Sequence, residues 1–249
     1  MNIKENSKIL KLSYVFKNYE NEIKEAKQTK KDYEEFLDEL LEKEINQRKE
    51  NGIKKRIRYA KFPIKKYLED FDRKLYNPEF IKEFEELDTL DFIEKKENII
   101  LVGTPGAGKT HYAIGLGIKA CMDGKSVLFI SVPNLIIELK EAMSRSQLTA
   151  YKRKFEKFDL IILDELGYVS FDKEGCEILF NLLSNRNDKG SIIITTNLTF
   201  DRWEEIFKDA MLTGAMVDRL AYKAHILDLS RNVSHRYEET VSWKNSKNM

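Results

Sequence analysis

Cysteine and histidine are scarce in this 249-residue chain, net charge is close to zero, and long apolar runs are missing. Each absence excludes something. The two cysteines, Cys121 and Cys176, are far apart and lie in helical patterns. Free, buried thiols are expected in place of a disulfide or a two-cysteine metal site. The three histidines, His111, His225 and His235, are scattered without metal-ligand spacing. No apolar run reaches the length of a signal peptide or a membrane span, which predicts a cytoplasmic protein. Charged residues make up 34% of the chain, yet the net charge is +1. A global field therefore says nothing about partners, and charge has to be read locally. The length allows a full core; it is long for one average domain and short for two.

What is present centres on Asn98–His111, NIILVGTPGAGKTH. Asn98–Val102 is an apolar run of the length a buried strand needs. Gly103-Thr104-Pro105-Gly106-Ala107-Gly108-Lys109-Thr110 follows, with the G-x-x-x-x-G-K-S/T spacing, and an apolar-periodic helix comes next. That context is what a phosphate-binding loop requires. Its glycines let successive backbone N–H groups point into one concavity, and the helix adds unpaired donors and its positive dipole end. Lys109 would place an ammonium on the β/γ-phosphates, and the Thr110 hydroxyl would ligate Mg²⁺. His111, most simply a first-turn helix residue, is counted with this nucleotide-facing set.

Upstream, residues 7–59 read as helical, with apolar positions recurring at spacings of three and four. Thr29, three places before Asp32, is the expected cap of the second helix. Between Gln47 and Lys66 nine basic residues face one acid, Glu50. Lys54, Lys55, Arg56, Arg58 and Lys61 in this stretch are candidate DNA-phosphate contacts; a solvated helix face is the alternative. Phe62-Pro63 is expected to end the helix. Residues 1–66 are thus read as a helical N-terminal domain with a basic stretch, and 67–95 as a linker with a short helix. Asn77 and Pro78 mark that helix's start.

From residue 96 the pattern alternates. Strands are predicted at 98–102, 126–131, 159–163, 191–195 and 225–229, with helices between them. Near-continuous runs such as Leu160–Leu163 and Ile192–Ile194 suit parallel strands buried on both faces. The expectation is an α/β, doubly wound parallel sheet preceded by a small all-α domain. DLIILDE, Asp159–Glu165, ends an apolar strand in two acids. Asp164 would hold Mg²⁺ through water and Glu165 would act as general base. Asn197, closing SIIITTN, is placed to reach the γ-phosphate or the attacking water; a turn-forming Asn is the plainer alternative. Arg219 is either a surface charge or an arginine finger acting on a neighbour's nucleotide.

Together Gly103–Thr110, Asp164-Glu165, Asn197 and Arg219 resemble the AAA+ ATPases. Within them the chain resembles the insertion-sequence helper ATPases, the IstB-like proteins, which are related to the DnaC and DnaI helicase loaders. The resemblance spans about residues 8–236. AKFPIKKYLEDFD (60–72), TTNLTFDRW (195–203) and AMVDRLAYKAHIL (215–227) carry its more particular part. It implies an ATP- and Mg²⁺-dependent ATPase that forms homo-oligomers with ATP at subunit interfaces, binds duplex DNA and assists a partner transposase. Carried over by position, Asp164 and Glu165 are the Walker B pair, Asn197 is sensor 1, and Arg219 takes the finger position. Arg236 matches a second sensor more loosely, since His235 replaces the usual aromatic. The helical lid is expected to be short or absent within 96–249. An extra helix is expected near the DNA path, at about 134–158. That span holds Arg145, Lys152 and Arg153 in a second basic cluster, whose solvated alternative stays open. A replicative helicase loader and a solitary nucleotide kinase are the rival readings.

Overall fold

The computed structural model describes residues 2–186 and 188–230. Contacts divide the chain into two units, one up to Lys55 and one from Arg56 onward. Helices α1 (Ile3–Ile9), α2 (Ser13–Thr29) and most of α3 (Tyr33–Tyr59) make the first. The second runs α4 (Pro78–Asp88), α5 (Asp91–Lys95), β1 (Asn98–Val102), α6 (Lys109–Met122), β2 (Val127–Ser131), α7 (Val132–Ser144), α8 (Leu148–Phe155) and β3 (Leu160–Leu166). It continues with α9 (Lys173–Ser184), β4 (Ser191–Thr196), α10 (Glu204–Phe207), α11 (Ala210–Ala221) and β5 (Ala224–Asp228).

The first unit is held by polar caps more than by a core. Asn2 and Glu5 cap α1 reciprocally. Leu12 precedes α2 and offers no side-chain cap. Glu44, buried in the middle of α3, accepts from the N–H groups of Ser13, Tyr14 and Val15 at 3.0, 2.7 and 3.2 Å. One carboxylate thus satisfies three of the four N–H groups a helix start leaves unpaired. Arg48 braces it, donating to Glu44 at 3.0 Å and to the Lys11 carbonyl at 2.9 Å. The expected Thr29 cap is not made. Thr29 ends α2 and donates back to Glu25 O at 3.0 Å, while Asp32 caps α3 by accepting from Glu35 N. Aspartate wins because its side chain stands one residue before the first turn, where N-caps act.

In the second unit the five strands are all parallel, in the order β2-β3-β4-β1-β5. Their bounds agree with expectation within a residue, except that β3 runs three residues further. β1 and β4 are buried throughout, as a sheet covered on both faces requires. One face packs on α6, α4 and α5, the other on α7, α9, α10 and α11. No helix among the described residues is long and apolar enough to cross a membrane.

Three local expectations are corrected. α3 stops at Tyr59, short of Pro63, because Lys61 takes a left-handed conformation (φ 62°) and the Ala60 carbonyl accepts from Phe129 N on β2. Asn77 does precede α4, but its side chain makes no capping bond; Pro78 alone sets that start. The span 134–158 holds two helices, not one. They break at left-handed Ser146, where Gln147 N returns to Ala142 O at 2.7 Å in a Schellman closure.

Residues 60–76 lie against α6. Leu68 fills the space a side chain at Gly115 would occupy, and the Phe62 ring does the same at Gly117. Phe71, Tyr76, Phe84 and Tyr112 form an aromatic cluster with ring centroids 4.7–5.4 Å apart.

Candidate active site

The chain leaves β1 at its carboxyl end and turns directly into the loop 103–108. Gly103 N donates to Thr196 O on β4 at 3.1 Å, anchoring the loop's base to the neighbouring strand. Gly108 has φ +83°, and a Cβ there would lie 2.6 Å from the Tyr76 hydroxyl and 2.9 Å from the Phe71 ring. Conformation and close approach both demand glycine. α6 begins at Lys109, so its first N–H groups and dipole face the loop. Lys109 is buried, and its ammonium donates to the Gly103 and Thr104 carbonyls at 2.6 and 2.9 Å, inside the loop.

β4 lies between β1 and β3, so the acids of β3 face the loop across one strand tip. Thr110 Oγ1 donates to Asp164 Oδ1 at 2.9 Å. Two residues 54 positions apart therefore share one point, and both are oxygen donors of the kind Mg²⁺ takes. No group of three His, Cys, Asp or Glu suited to a metal occurs among the described residues. A two-oxygen site suits a cation that completes its octahedron with water and substrate phosphates. Thr195 was not foreseen. Its hydroxyl donates to Asp164 Oδ1 at 2.6 Å and accepts from Glu165 N at 3.0 Å, fixing both acids. The signal was the polar pair closing SIIITTN, which reads equally well as strand-forming threonine.

Glu165 sits in the left-handed region (φ 64°) at the irregularity where β3 slips against β4, and its side chain is exposed. The bulge turns consecutive acids apart: Asp164 is buried toward Thr110, and Glu165 faces outward. Asn197 follows β4, and its Oδ1 is buried with no hydrogen-bond partner, 3.0 Å from where a Cβ on Gly167 would stand. An orphaned acceptor beside a phosphate loop suits a water that donates to it.

Other candidates lie elsewhere. His111 Nε2 is 3.1 Å from Tyr67 O, and its ring meets Phe71 edge-on, so it faces the 67–71 segment. Arg219 donates to the Ser184 hydroxyl, and its guanidinium lies 4.4 Å over the Phe180 ring. The next residue, Leu220, accepts from the Asn98 side chain at the start of β1. Arg219 thus stands near the amino edge of the sheet, the edge opposite the one that carries the phosphate loop. Arg236 lies outside the described residues.

Among the basic candidates, Arg56 donates through Nε to Cys121 O at 2.7 Å and anchors the end of α6. Lys54 pairs with Glu50 at 3.4 Å, and Arg145 with Glu141 at 3.5 Å. Arg58 lies 5.4 Å from the Tyr59 ring, and Lys55 and Arg153 are exposed. Lys61 reaches Glu138 at 3.6 Å, and Glu138 also accepts from Tyr151 on α8, the residue before Lys152. The end of the first basic stretch and the second cluster are therefore side by side. Both cysteines are free and buried, and burial pushes the Cys121 thiol up to about 11.

Sheet order and loop placement define the class, a phosphate-loop domain with the fold of the AAA+ proteins. The structure of AMPPCP-bound DnaA from Aquifex aeolicus aligns with a TM-score of 0.58 at 17% identity, over 74% of this chain and 56% of that one. A DnaC helicase loader aligns at 0.51 and 22%, over 61% and 93%. The family is narrower: the model described as IstB-like ATP binding protein matches residues 5–242, and the chain belongs to that family. Two relatives are insertion-sequence proteins named for ATP binding. The IS21 protein of Pseudomonas aeruginosa is 36% identical over 92% of this chain and 86% of its own. The IS5376 protein of Geobacillus stearothermophilus is 37% identical over 83% and 82%.

Proposed function

We propose that this protein is a Mg²⁺-dependent ATPase that assembles on duplex DNA and assists the transposase of its insertion sequence. The observation that carries the ATPase reading is the bond between Thr110 and Asp164, which joins the phosphate loop to the acid pair. The loop N–H groups and Lys109 hold the β- and γ-phosphates. Glu165, exposed beside Asp164, takes a proton from water as its oxygen attacks the γ-phosphorus, and the bond to the ADP oxygen breaks. Asn197 Oδ1 accepts from that water and orients it. Thr110 and Asp164 would hold Mg²⁺, which would supply charge neutralisation at the phosphate oxygens. Arg219, remote from its own loop, serves a neighbouring subunit's nucleotide.

DNA binding draws support from Lys61, at the end of the first basic stretch, lying beside the second cluster through Glu138, and the transposase role from the insertion-sequence relatives. Steady-state phosphate release, with and without duplex DNA, tests the enzyme. Pull-down against the transposase and against a replicative helicase tests the partner. Helicase capture with no transposase capture would replace this reading with that of a loader.

A further inference from the structure

We propose that Tyr76 is a positioning residue for the phosphate loop, acting through its hydroxyl on the Ala107–Gly108 peptide. The inference rests on the nucleotide-binding reading and adds a residue to it. Tyr76 is buried, and its hydroxyl donates to the Ala107 carbonyl at 2.8 Å. No cis peptide occurs among the described residues, and in a trans peptide the N–H points opposite to the carbonyl. With the Ala107 carbonyl turned to Tyr76, the Gly108 N–H is turned away from Tyr76. The hydroxyl therefore selects which way this peptide faces.

Selection is needed here because the loop is intrinsically permissive. Gly106 and Gly108 both have positive φ, and glycine tolerates the flipped peptide as well. The Tyr76 ring is itself held, stacked 5.2 Å from Phe71 and set edge-on to Phe84. Burial pushes the phenol's pKa far above its ordinary value, so it stays a donor across all working pH. The tyrosine comes from the 60–76 segment, 31 residues before its partner. Nothing in the local G-x-x-x-x-G-K-T spacing encodes it.

The fold supplies its own control. Tyr112 belongs to the same aromatic cluster and is also buried, but its hydroxyl bonds Phe84 O and Asp88, not the loop. The test is a fluorescent-ATP titration of the full chain as wild type, Tyr76→Phe and Tyr112→Phe. It is run where circular dichroism shows all three folded, alongside the ATP-induced shift in Tm. Phe keeps the ring and removes one oxygen, leaving the Ala107 carbonyl unsatisfied. Tyr76→Phe should bind ATP roughly 5- to 50-fold more weakly and lose most of the Tm shift. Tyr112→Phe should bind within about twofold of wild type, although it loses a comparable buried hydrogen bond. Wild-type affinity in Tyr76→Phe, or an equal loss in Tyr112→Phe, would overturn the proposal. If the wild type itself fails to bind ATP, the nucleotide reading falls, and the proposal with it.

Discussion

Glu165 and Thr195 separate chemistry from positioning within one site. Glu165→Gln retains shape and the loop, so ATP should still bind while turnover falls about 10²- to 10⁴-fold. Nucleotide titration beside phosphate release checks both halves. Thr195→Val removes the hydroxyl that holds Asp164 and the Glu165 amide. Its turnover should fall, and the Mg²⁺ concentration needed for half-maximal rate should rise, a shift that Glu165→Gln should not show. Glu44 makes a different kind of prediction. Burial alone would raise its pKa, but Arg48 and the amides of Val15, Tyr14 and Ser13 outweigh that and lower it. A lowered folded-state pKa stabilises above the ordinary carboxylate range and is lost as pH falls through the folded value. The α2 amides of Ser13–Val15 should keep hydrogen-exchange protection through the ordinary carboxylate range and lose it only as pH falls below that range. Glu44→Gln, which keeps an acceptor but no charge, should flatten that pH dependence.

Elements show what the sequence made legible and what it hid. β1, β3 and β4 were readable because a doubly covered strand needs an uninterrupted apolar run, and Ile99–Val102, Leu160–Leu163 and Ile192–Ile194 supply it. The phosphate loop was readable because its whole chemistry is local. The Thr195, Glu44 and Tyr76 bonds were not, since each joins groups about 30 residues apart and nothing periodic marks them. Arg186 is a further case: fully buried, it donates to the carbonyls of Phe155, Phe158, Asp159 and Ser191, and burial lowers its pKa to about 10. Two glycines inside α6 would ordinarily weaken a helix by about 1 kcal/mol each relative to alanine. Here a Cβ at Gly115 would lie 2.7 Å from Leu68 Cδ2. Gly115→Ala should therefore destabilise by about 1–3 kcal/mol despite its better propensity. Adding Leu68→Ala should recover part of that loss, and urea melts of the double-mutant cycle measure the coupling.

At the scale of the whole molecule the predictions concern assembly. Arg219→Ala should bind ATP yet lose turnover, and mixing it with Lys109→Ala should restore some activity. A mixed interface can pair an intact loop with an intact finger. Activity no greater than the two separate samples would place the arginine outside the chemistry. DNA binding should be steeply salt-dependent and nearly blind to sequence, because phosphate contacts position without specifying. Each phosphate contact contributes about −0.9 to the log–log salt slope on duplex DNA. Replacing Lys54, Lys55, Arg58 and Lys61 by Ala should flatten that slope by up to about 3–4, as fluorescence anisotropy across a salt series would show. Arg56 is left in place because it anchors α6.

The position of β1 also sets a timetable. Among the described residues β1 pairs with β4 and β5 alone, which are encoded roughly 90 and 120 residues after it. A ribosome adding about 5–20 residues per second needs several seconds to tens of seconds to supply them. Until β4 is made the phosphate-loop strand exists without either neighbour, although β2 and β3 can pair as soon as β3 has followed. The nascent chain thus acquires its nucleotide site last, when nearly the whole second unit has been made. An unfinished chain released before β4 would carry Ile99–Val102 as an uncovered apolar edge, a target for aggregation and not for ATP.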